Sequence, residues 1–327
     1  MGETDSLSDH SPRIARAYFA LQAVLAMAWC IALFFHDVIR SATLGDADPR
    51  VMVLPDLLFF TLPSLLAARL APGSRPIRIA LATLLAYSGI ALIVFGWRSL
   101  DGGRGAWGVI AMAFAFTGSA LAGTRLALGP LGAGRCFPPA LVIRPAGVAS
   151  TARHLFRTFV QIVFFWGFFL GVLPWAIAEL EIRWNLHWPP LASNGVAIAG
   201  WTIFATQGVI GLWSAAEMVV RGRGTPLPSS AARDLVTSGP YSVVRNPMAV
   251  AGILQGVGIG LVHGSWLAVA YALTGSVVWN ILARPYEEGD LLARFGGAYD
   301  DYRRRVRCWI PWVAPPEPAR RPPRPLL

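Results

Sequence analysis

The sequence predicts an all-α protein, a polytopic transmembrane helical bundle of about eight spans. Of its 327 residues, 55% are hydrophobic and only 14% are charged, whereas soluble domains carry about 25% charged residues. The mean hydropathy is +0.52, and apolar runs approaching the roughly 20 residues that a spanning helix needs recur along the chain. A single water-soluble globule is therefore excluded.

The spans are identified as apolar runs with no charge near the centre, where one arginine, lysine or aspartate costs about 2.5 to 3.5 kcal/mol. Asp56 is the ionisable residue that lies furthest inside a span, one turn in and beside Pro55, where an interfacial position is favoured over a polar passage. The seventh span contains GVGIG at 256–260, a small-residue pattern that favours helix contact. The predicted spans run from Tyr18 to Phe35, Val51 to Ala68, Ile79 to Trp97, Ala106 to Thr124, Phe159 to Ala178, Gly195 to Glu217, Pro247 to Val262, and Ser265 to Leu282.

The arginines indicate the orientation. All 28 lysine-or-arginine positions are arginine, and a cytoplasmic N-terminus places 23 of them in inside segments and 5 in outside loops. Because cytoplasmic segments are enriched in basic residues, we predict an integral membrane protein, of a bacterial inner membrane, with both termini in the cytoplasm. The same bias accounts for the net charge of +10 without nucleic acid as a partner.

Composition divides the chain into three parts. Residues 1–150 supply four spans of no evident role, residues 151–313 hold the motifs described next, and residues 314–327 form a Pro/Arg-rich tail that we predict to be disordered. The cysteines stand far apart, without a CxxC motif or a histidine cluster, which argues against a disulfide framework or a metal site. They are Cys30, Cys136 and Cys308.

The loop before the seventh span, RGRGTPLPSSAARDLVTSGPYSVVRNPM at 221–248, is rich in arginines and turn residues. Pro247 suits the first turn of a helix, so Arg245 and Asn246 stand directly before a helix N-terminus. Its free N–H groups, with the adjacent guanidinium, favour a carboxylate or phosphate. Two simpler interpretations stay open: a basic loop that binds headgroups, and Asn246 as a helix cap.

A second group of charges follows the eighth span. Only His263 and Gly264 separate the seventh span from the eighth, so this hairpin returns the chain to the membrane face that it left. Glu288 can pair with Arg284 at i, i+4, whereas Glu287 points about 100° away, towards apolar surface. A carboxylate facing an arginine-bearing helix start is a polar site for a zwitterionic ligand.

The two motifs together resemble the integral-membrane methyltransferases that include isoprenylcysteine carboxyl methyltransferase and phosphatidylethanolamine N-methyltransferase. The family pattern is G-x-Y-x-x-x-R-[HN]-P-x-Y-x-G, a helical hairpin, E-E and L-x-x-x-F-G-x-x-Y-x-x-Y. This chain has GPYSVVRNPMAVAG, the hairpin and EEGDLLARFGGAYDDYRRRVRCWIP. The resemblance covers roughly residues 156–312 and none of the first four spans. The chain departs from the pattern at Ala249, where the family has tyrosine.

The resemblance implies methyl transfer from S-adenosylmethionine to a lipophilic acceptor that enters from the bilayer, with membrane lipids as partners and no metal. We hypothesise that Arg245 binds the methionyl carboxylate and that Glu287 or Glu288 binds the amino group or ribose hydroxyls. An amine acceptor would need a base, for which Glu288 is the candidate, so Arg245 and Glu288 are the predicted catalytic residues. The predicted cofactor-binding residues are Tyr241, Arg245, Asn246, Pro247, Glu287 and Glu288.

Two alternatives belong to other functional classes. A sterol reductase of the related lamin B receptor type shares the arginine-proline motif and the hairpin but uses NADPH, and the E-E and FG-x-x-Y-x-x-Y elements favour methyl transfer over it. A catalytically inactive lipid-binding scaffold is suggested by Ala249 and by the four extra spans. The acceptor is left open, because an apolar groove does not distinguish an isoprenoid acid, a phospholipid amine or a quinone-like lipid.

Overall fold

The computed structural model describes residues 2–128, 142–147 and 149–311, with the backbone alone for residues 2–11. Within these ranges helices are joined by turns and loops and no β-strand forms, so the predicted all-α bundle is confirmed. Cys136 and the predicted disordered tail at 314–327 lie outside the described residues.

Each predicted span falls on a helix, but three helices are much longer than predicted, namely Gly2–Phe35, Thr151–Arg183 and Trp266–Arg305. Seven helices of the described ranges are long and apolar enough to cross a membrane. The seventh predicted span forms a helix of only 16 residues, about 24 Å at 1.5 Å per residue, which is shorter than the roughly 30 Å hydrocarbon core. The helices are α1 (Gly2–Phe35), α2 (Asp37–Leu44), α3 (Pro49–Arg69), α4 (Arg75–Ser99), α5 (Ala106–Leu128), α6 (Thr151–Arg183), α7 (Asn194–Val220), α8 (Pro247–Val262) and α9 (Trp266–Arg305).

Serine side chains begin four of these helices. Each accepts a hydrogen bond from a backbone N–H of the first turn, which satisfies a group that has no partner inside the helix. Helix α8 begins differently, with Pro247 in the first turn as predicted and Asn246 at the cap position without a side-chain cap. The capping serines are Ser74 of α4, Ser150 of α6, Ser193 of α7 and Ser265 of α9.

Helix α8 is held between α7 and α9 by small residues, as the GVGIG pattern predicts. A Cβ at Gly258 would lie 2.7 Å from the carbonyl oxygen of Gly200 on α7, and a Cβ at Gly200 would lie 2.6 Å from that of Gly258. On the opposite side, a Cβ at Gly256 would lie 2.8 Å from Ala272 Cβ of α9. Backbones approach this closely only where side chains are absent.

The first four spans contact the second half of the chain. The Arg125 guanidinium of α5 donates to the carbonyl of Ile281 in α9, and the Trp107 and Trp266 rings stack at 5.9 Å between centroids. Residues 142–147, before the predicted boundary at 150, hydrogen-bond to residues 228–231 of the second half. The division at residue 150 stays a prediction, and contacts on both of its sides cross it.

Substitution of the packing glycines tests this arrangement. We expect Gly258→Ala to lower the melting temperature of the purified protein in detergent, because overpacking against a backbone atom costs about 1–3 kcal/mol. Gly252→Ala on the same helix is the control, since a Cβ there has nothing within 4 Å and alanine favours a helix over glycine by about 1 kcal/mol. Equal melting temperatures for the two variants would contradict the packing.

Candidate active site

The α8–α9 hairpin brings the two predicted charge clusters together at one end of the bundle. Arg245, two residues before α8, places its Nη1 atom 3.0 Å from Glu288 Oε1, in the polar part of α9 that follows its apolar span. The backbone N–H of Arg245 also donates to the carbonyl of Arg307 at 2.9 Å. The chain segment after α9 therefore folds back over the start of α8.

The Gly-Pro-Tyr turn that precedes Arg245 requires its glycine. Gly239 has φ +58°, in the left-handed region, and a Cβ there would lie 2.9 Å from Glu217 Cγ. The turn is anchored by Ser238, whose hydroxyl donates to Glu217 Oε2 at 2.6 Å. The Tyr302 hydroxyl donates to the carbonyl of Tyr241 at 2.5 Å, and burial raises the pKa of the Tyr241 phenol, so this ring stays neutral.

Glu288 is held by two guanidinium groups. Its Oε1 atom lies 3.0 Å from Arg245 Nη1 and 3.0 Å from Arg284 Nε, so the predicted i, i+4 pair with Arg284 forms and a second cation joins it. The Arg245 side chain is 10% exposed; its Nη1 also donates to the Tyr299 hydroxyl at 3.4 Å, while its buried Nε–H has no partner in the described structure. Arg245 thus keeps an unused donor.

Asn246 does not serve as a side-chain cap, one of the two simpler interpretations of the sequence. Its Nδ2 atom donates to Cys308 Sγ at 3.1 Å, and burial raises the pKa of that thiol. Asn246 lines the cavity described below, whereas Pro247 is buried within the first turn of α8 and does not line it.

A cavity of about 140 Å³ lies against these residues; we call it the polar cavity for the ionisable side chains in its otherwise mostly apolar wall. Its wall combines the loop at 225–236 with the start of α8 and the polar part of α9. Basic and acidic groups both face it, which suits a ligand that carries both charges. The ionisable side chains in its lining are Asp234, Tyr241, Arg245, Glu287, Glu288, Asp290, Arg294, Tyr299 and Tyr302.

An apolar cavity of about 350 Å³ adjoins the polar one. Pro226, Leu227, Pro228 and Glu287 line both cavities, so they form the boundary between them. The apolar wall comes from helices α6, α8 and α9, and its large members are Phe165, Trp166, Met248, Trp279 and Tyr286.

Glu287 occupies the boundary without a charged partner. No ion pair or hydrogen bond to its carboxylate is found in the described part of the chain, in contrast to the doubly paired Glu288. Sequence reasoning placed Glu287 near apolar surface, and the apolar cavity is that surface. A free carboxylate between a polar and an apolar cavity can hold a cation or accept a proton from a molecule on either side.

Several lining residues carried no individual signal in the sequence. Gln161, Trp166 and Trp279 stand inside apolar spans, where an aromatic or single amide residue has many structural explanations. The PLP triplet at 226–228 was noticeable only as part of the GRGTPLP stretch. Ala249, at the position where the resemblance expects tyrosine, lines neither cavity.

Comparison with known proteins supports the resemblance. The sequence model of the phospholipid methyltransferase family matches residues 196–297, from α7 into the polar part of α9. The chain is 32% identical over 121 residues to methanethiol S-methyltransferase 2 of Bradyrhizobium diazoefficiens, covering 36% of this chain and 44% of that one.

A longer match is to the nickel-cobalt-cadmium resistance protein NccN of Alcaligenes xylosoxydans xylosoxydans, with 31% identity over 170 residues, 52% of this chain and 73% of the relative. Among solved structures, the eukaryotic intramembrane Ras methyltransferase ICMT (isoprenylcysteine carboxyl methyltransferase) aligns over 96% of this chain and 99% of its own, with 16% identity and a TM-score of 0.34, too low to support a structural argument. From the family match and the two sequence relatives, the chain belongs to the phospholipid methyltransferase family.

Proposed function

We propose that the protein transfers a methyl group from S-adenosylmethionine to a lipophilic acceptor at the cytoplasmic face of the membrane. The observation that carries this proposal is the meeting of a charged cavity and an apolar cavity at one free carboxylate, Glu287. Methyl transfer requires a polar donor and an acceptor to be aligned with water excluded, and two adjoining cavities, one of them with charged groups in its wall, provide for this.

The residues of the polar cavity suit the cofactor. The unpartnered Arg245 Nε–H can donate to the methionyl carboxylate, and the Glu287 carboxylate can accept from the amino group or the ribose hydroxyls. When bound, S-adenosylmethionine supplies a methyl group activated by a positively charged sulfonium. The cavity of about 140 Å³ is smaller than the roughly 300–1,000 Å³ of small-molecule sites, so its wall has to widen for the cofactor to enter.

The apolar cavity suits the acceptor. Its wall is formed by helices of the bundle, and Phe165 of α6, one of its lining residues, is among the exposed apolar side chains of the protein. A lipophilic molecule can therefore pass from the bilayer to Glu287 without crossing water. We propose that the reacting end of the acceptor rests at the boundary of the two cavities.

The two glutamates suit different tasks. Glu288 is bound by two guanidiniums, so we propose that it positions Arg245. Glu287 has no such partner and is the better candidate to take the proton of a protic acceptor such as an amine, thiol or alcohol.

Cofactor binding tests the polar cavity. We expect Arg245→Ala and Glu287→Ala each to weaken S-adenosylmethionine binding about tenfold or more, because a hydrogen bond to a charged group contributes about 1.5–3 kcal/mol. Isothermal titration of the purified protein measures the affinity. Arg40→Ala, an exposed position at the opposite end of the bundle, is the control.

Unchanged affinity in both cavity variants would contradict the site. Titration of NADPH against the same samples distinguishes the reductase alternative from methyl transfer. If the protein has an intact melting transition and binds neither cofactor, the inactive scaffold is favoured.

The acceptor and the base are tested together. The expected product of a labelled-methyl assay on total membrane lipid is a labelled lipid. Glu287→Gln keeps the size and a hydrogen-bond acceptor but loses the base, so we expect the turnover rate to fall about a hundredfold, with a smaller change in cofactor affinity. A rate that stays at the wild-type level would show that the acceptor needs no base.

We further propose that the site faces the cytoplasm, as the arginine distribution indicates. A fluorescent protein fused after residue 327 should be fluorescent and alkaline phosphatase at the same point inactive. Fusions after Ser99, on the opposite side, should give the reverse pattern, and the same result at both points would refute this topology.

A further inference from the structure

A second cavity system lies in the first four spans, which methyl transfer does not use. A groove of about 410 Å³ is bounded by α1 and α5, with α2 and α3 closing its floor. Leu21 and Leu25 of α1 and Phe114 of α5 line it and are 59%, 59% and 50% exposed. Because these side chains form both the wall and the outer surface, the groove opens sideways towards the lipid.

A buried carboxylate forms part of the groove floor. Asp56, which the sequence placed at the membrane interface, is only 3% exposed in the structure and faces the groove. Its Oδ2 atom accepts from Cys30 Sγ at 3.5 Å and from Thr61 Oγ1 at 3.4 Å, both long and both from neutral groups. Among the described residues no arginine pairs with Asp56, and an uncompensated charge in this position is costly.

The other polar groups around the groove satisfy one another. Gln22 Nε2 donates to Ser64 Oγ at 3.0 Å, and Gln22 Oε1 accepts from Ser119 Oγ at 3.1 Å and from the Tyr18 hydroxyl. Every polar end of Gln22 is therefore used inside the bundle. Asp56 is the polar member of the groove that lacks a partner of matching charge.

We propose that this groove binds a single-chain alkylammonium amphiphile, with the ammonium on Asp56 and the alkyl chain along α1. Asp56 lies seven residues into α3, about 10 Å from the helix start, a depth that a single-chain head group reaches from the membrane surface. Along α1 the groove runs from Trp29 to Tyr18, about 16 Å, which accommodates an extended chain. A cation with N–H donors supplies the charge and the hydrogen bonds that Asp56 lacks.

This site is independent of the methyl-transfer site. The chain runs along α1 from one end of the bundle to the other before α3 begins. The start of α3 therefore lies at the opposite end of the bundle from Arg245. The binding experiment therefore succeeds or fails irrespective of the proposed enzymatic function.

The test uses the full chain in phosphatidylcholine nanodiscs and a dodecylamine that carries a photoreactive diazirine on its chain. Mass spectrometry of the irradiated protein should find the label on peptides of α1 and α5. We expect labelling to fall at least tenfold in Asp56→Asn and to be unchanged in Asp37→Asn, an exposed carboxylate at the same end of the bundle. Excess unlabelled dodecylamine should compete with the photoreactive probe. Added phosphatidylethanolamine should not compete, because its phosphate would bring a negative charge close to Asp56.

Two further arms keep the proposal open to refutation. Leu25→Trp fills the groove and leaves the Asp56 carboxylate in place, so it should abolish labelling. This variant is decisive if a thermal melt shows that Asp56→Asn alters folding. Equal labelling by the matching diazirine dodecanol, or wild-type labelling of Asp56→Asn, would overturn the proposal and identify Asp56 as a protonated structural side chain. Competition by phosphatidylethanolamine would overturn the single-chain assignment.

Discussion

The contact between Arg245 and Glu288 holds the site together, because it ties the start of α8 to the polar end of α9 across the hairpin. With Arg284 as a second cation, the Glu288 carboxylate is surrounded by donors while little water reaches Arg245. Removing Glu288 would leave the Arg245 guanidinium, which is only 10% exposed, without a carboxylate partner, and this is destabilising. The loop that carries Tyr241 and the chain after Arg305 both pack around this pair.

The parts of the fold that lipid dictates could be predicted from the sequence. A bilayer demands long apolar helices with their backbone hydrogen bonds satisfied internally, so hydropathy locates each span, although α1, α6 and α9 extend well beyond the predicted ends. The shortest span, α8, is the one in which glycine is densest. Local pairs were equally accessible: Arg284 and Glu288 are neighbours on any helix that continues past residue 282.

Contacts between segments that are distant in the sequence could not be predicted in this way. The pairing of Arg245 with Glu288, and of Asn246 with Cys308 rather than with its own helix, depends on how the chain folds back after α9. The position of Glu287 between two cavities depends on packing against α6 and on the loop at 226–228. The burial of Asp56 could not be predicted for a related reason, since it comes from neighbouring helices and not from the depth of Asp56 in its own span.

The π-helical segment Trp279–Ala283 within α9 has a consequence for the order of the two glutamates. A π turn takes in about one residue more than an α turn, and each residue turns the helix by about 100°. An uninterrupted α-helix would therefore present Glu287 and Glu288 to different neighbours, and the carboxylate beside Arg245 would no longer be Glu288. The π-helical turn thus sets the rotation of the polar part of α9 relative to its apolar part, and with it which glutamate faces Arg245 and which lies at the boundary of the two cavities.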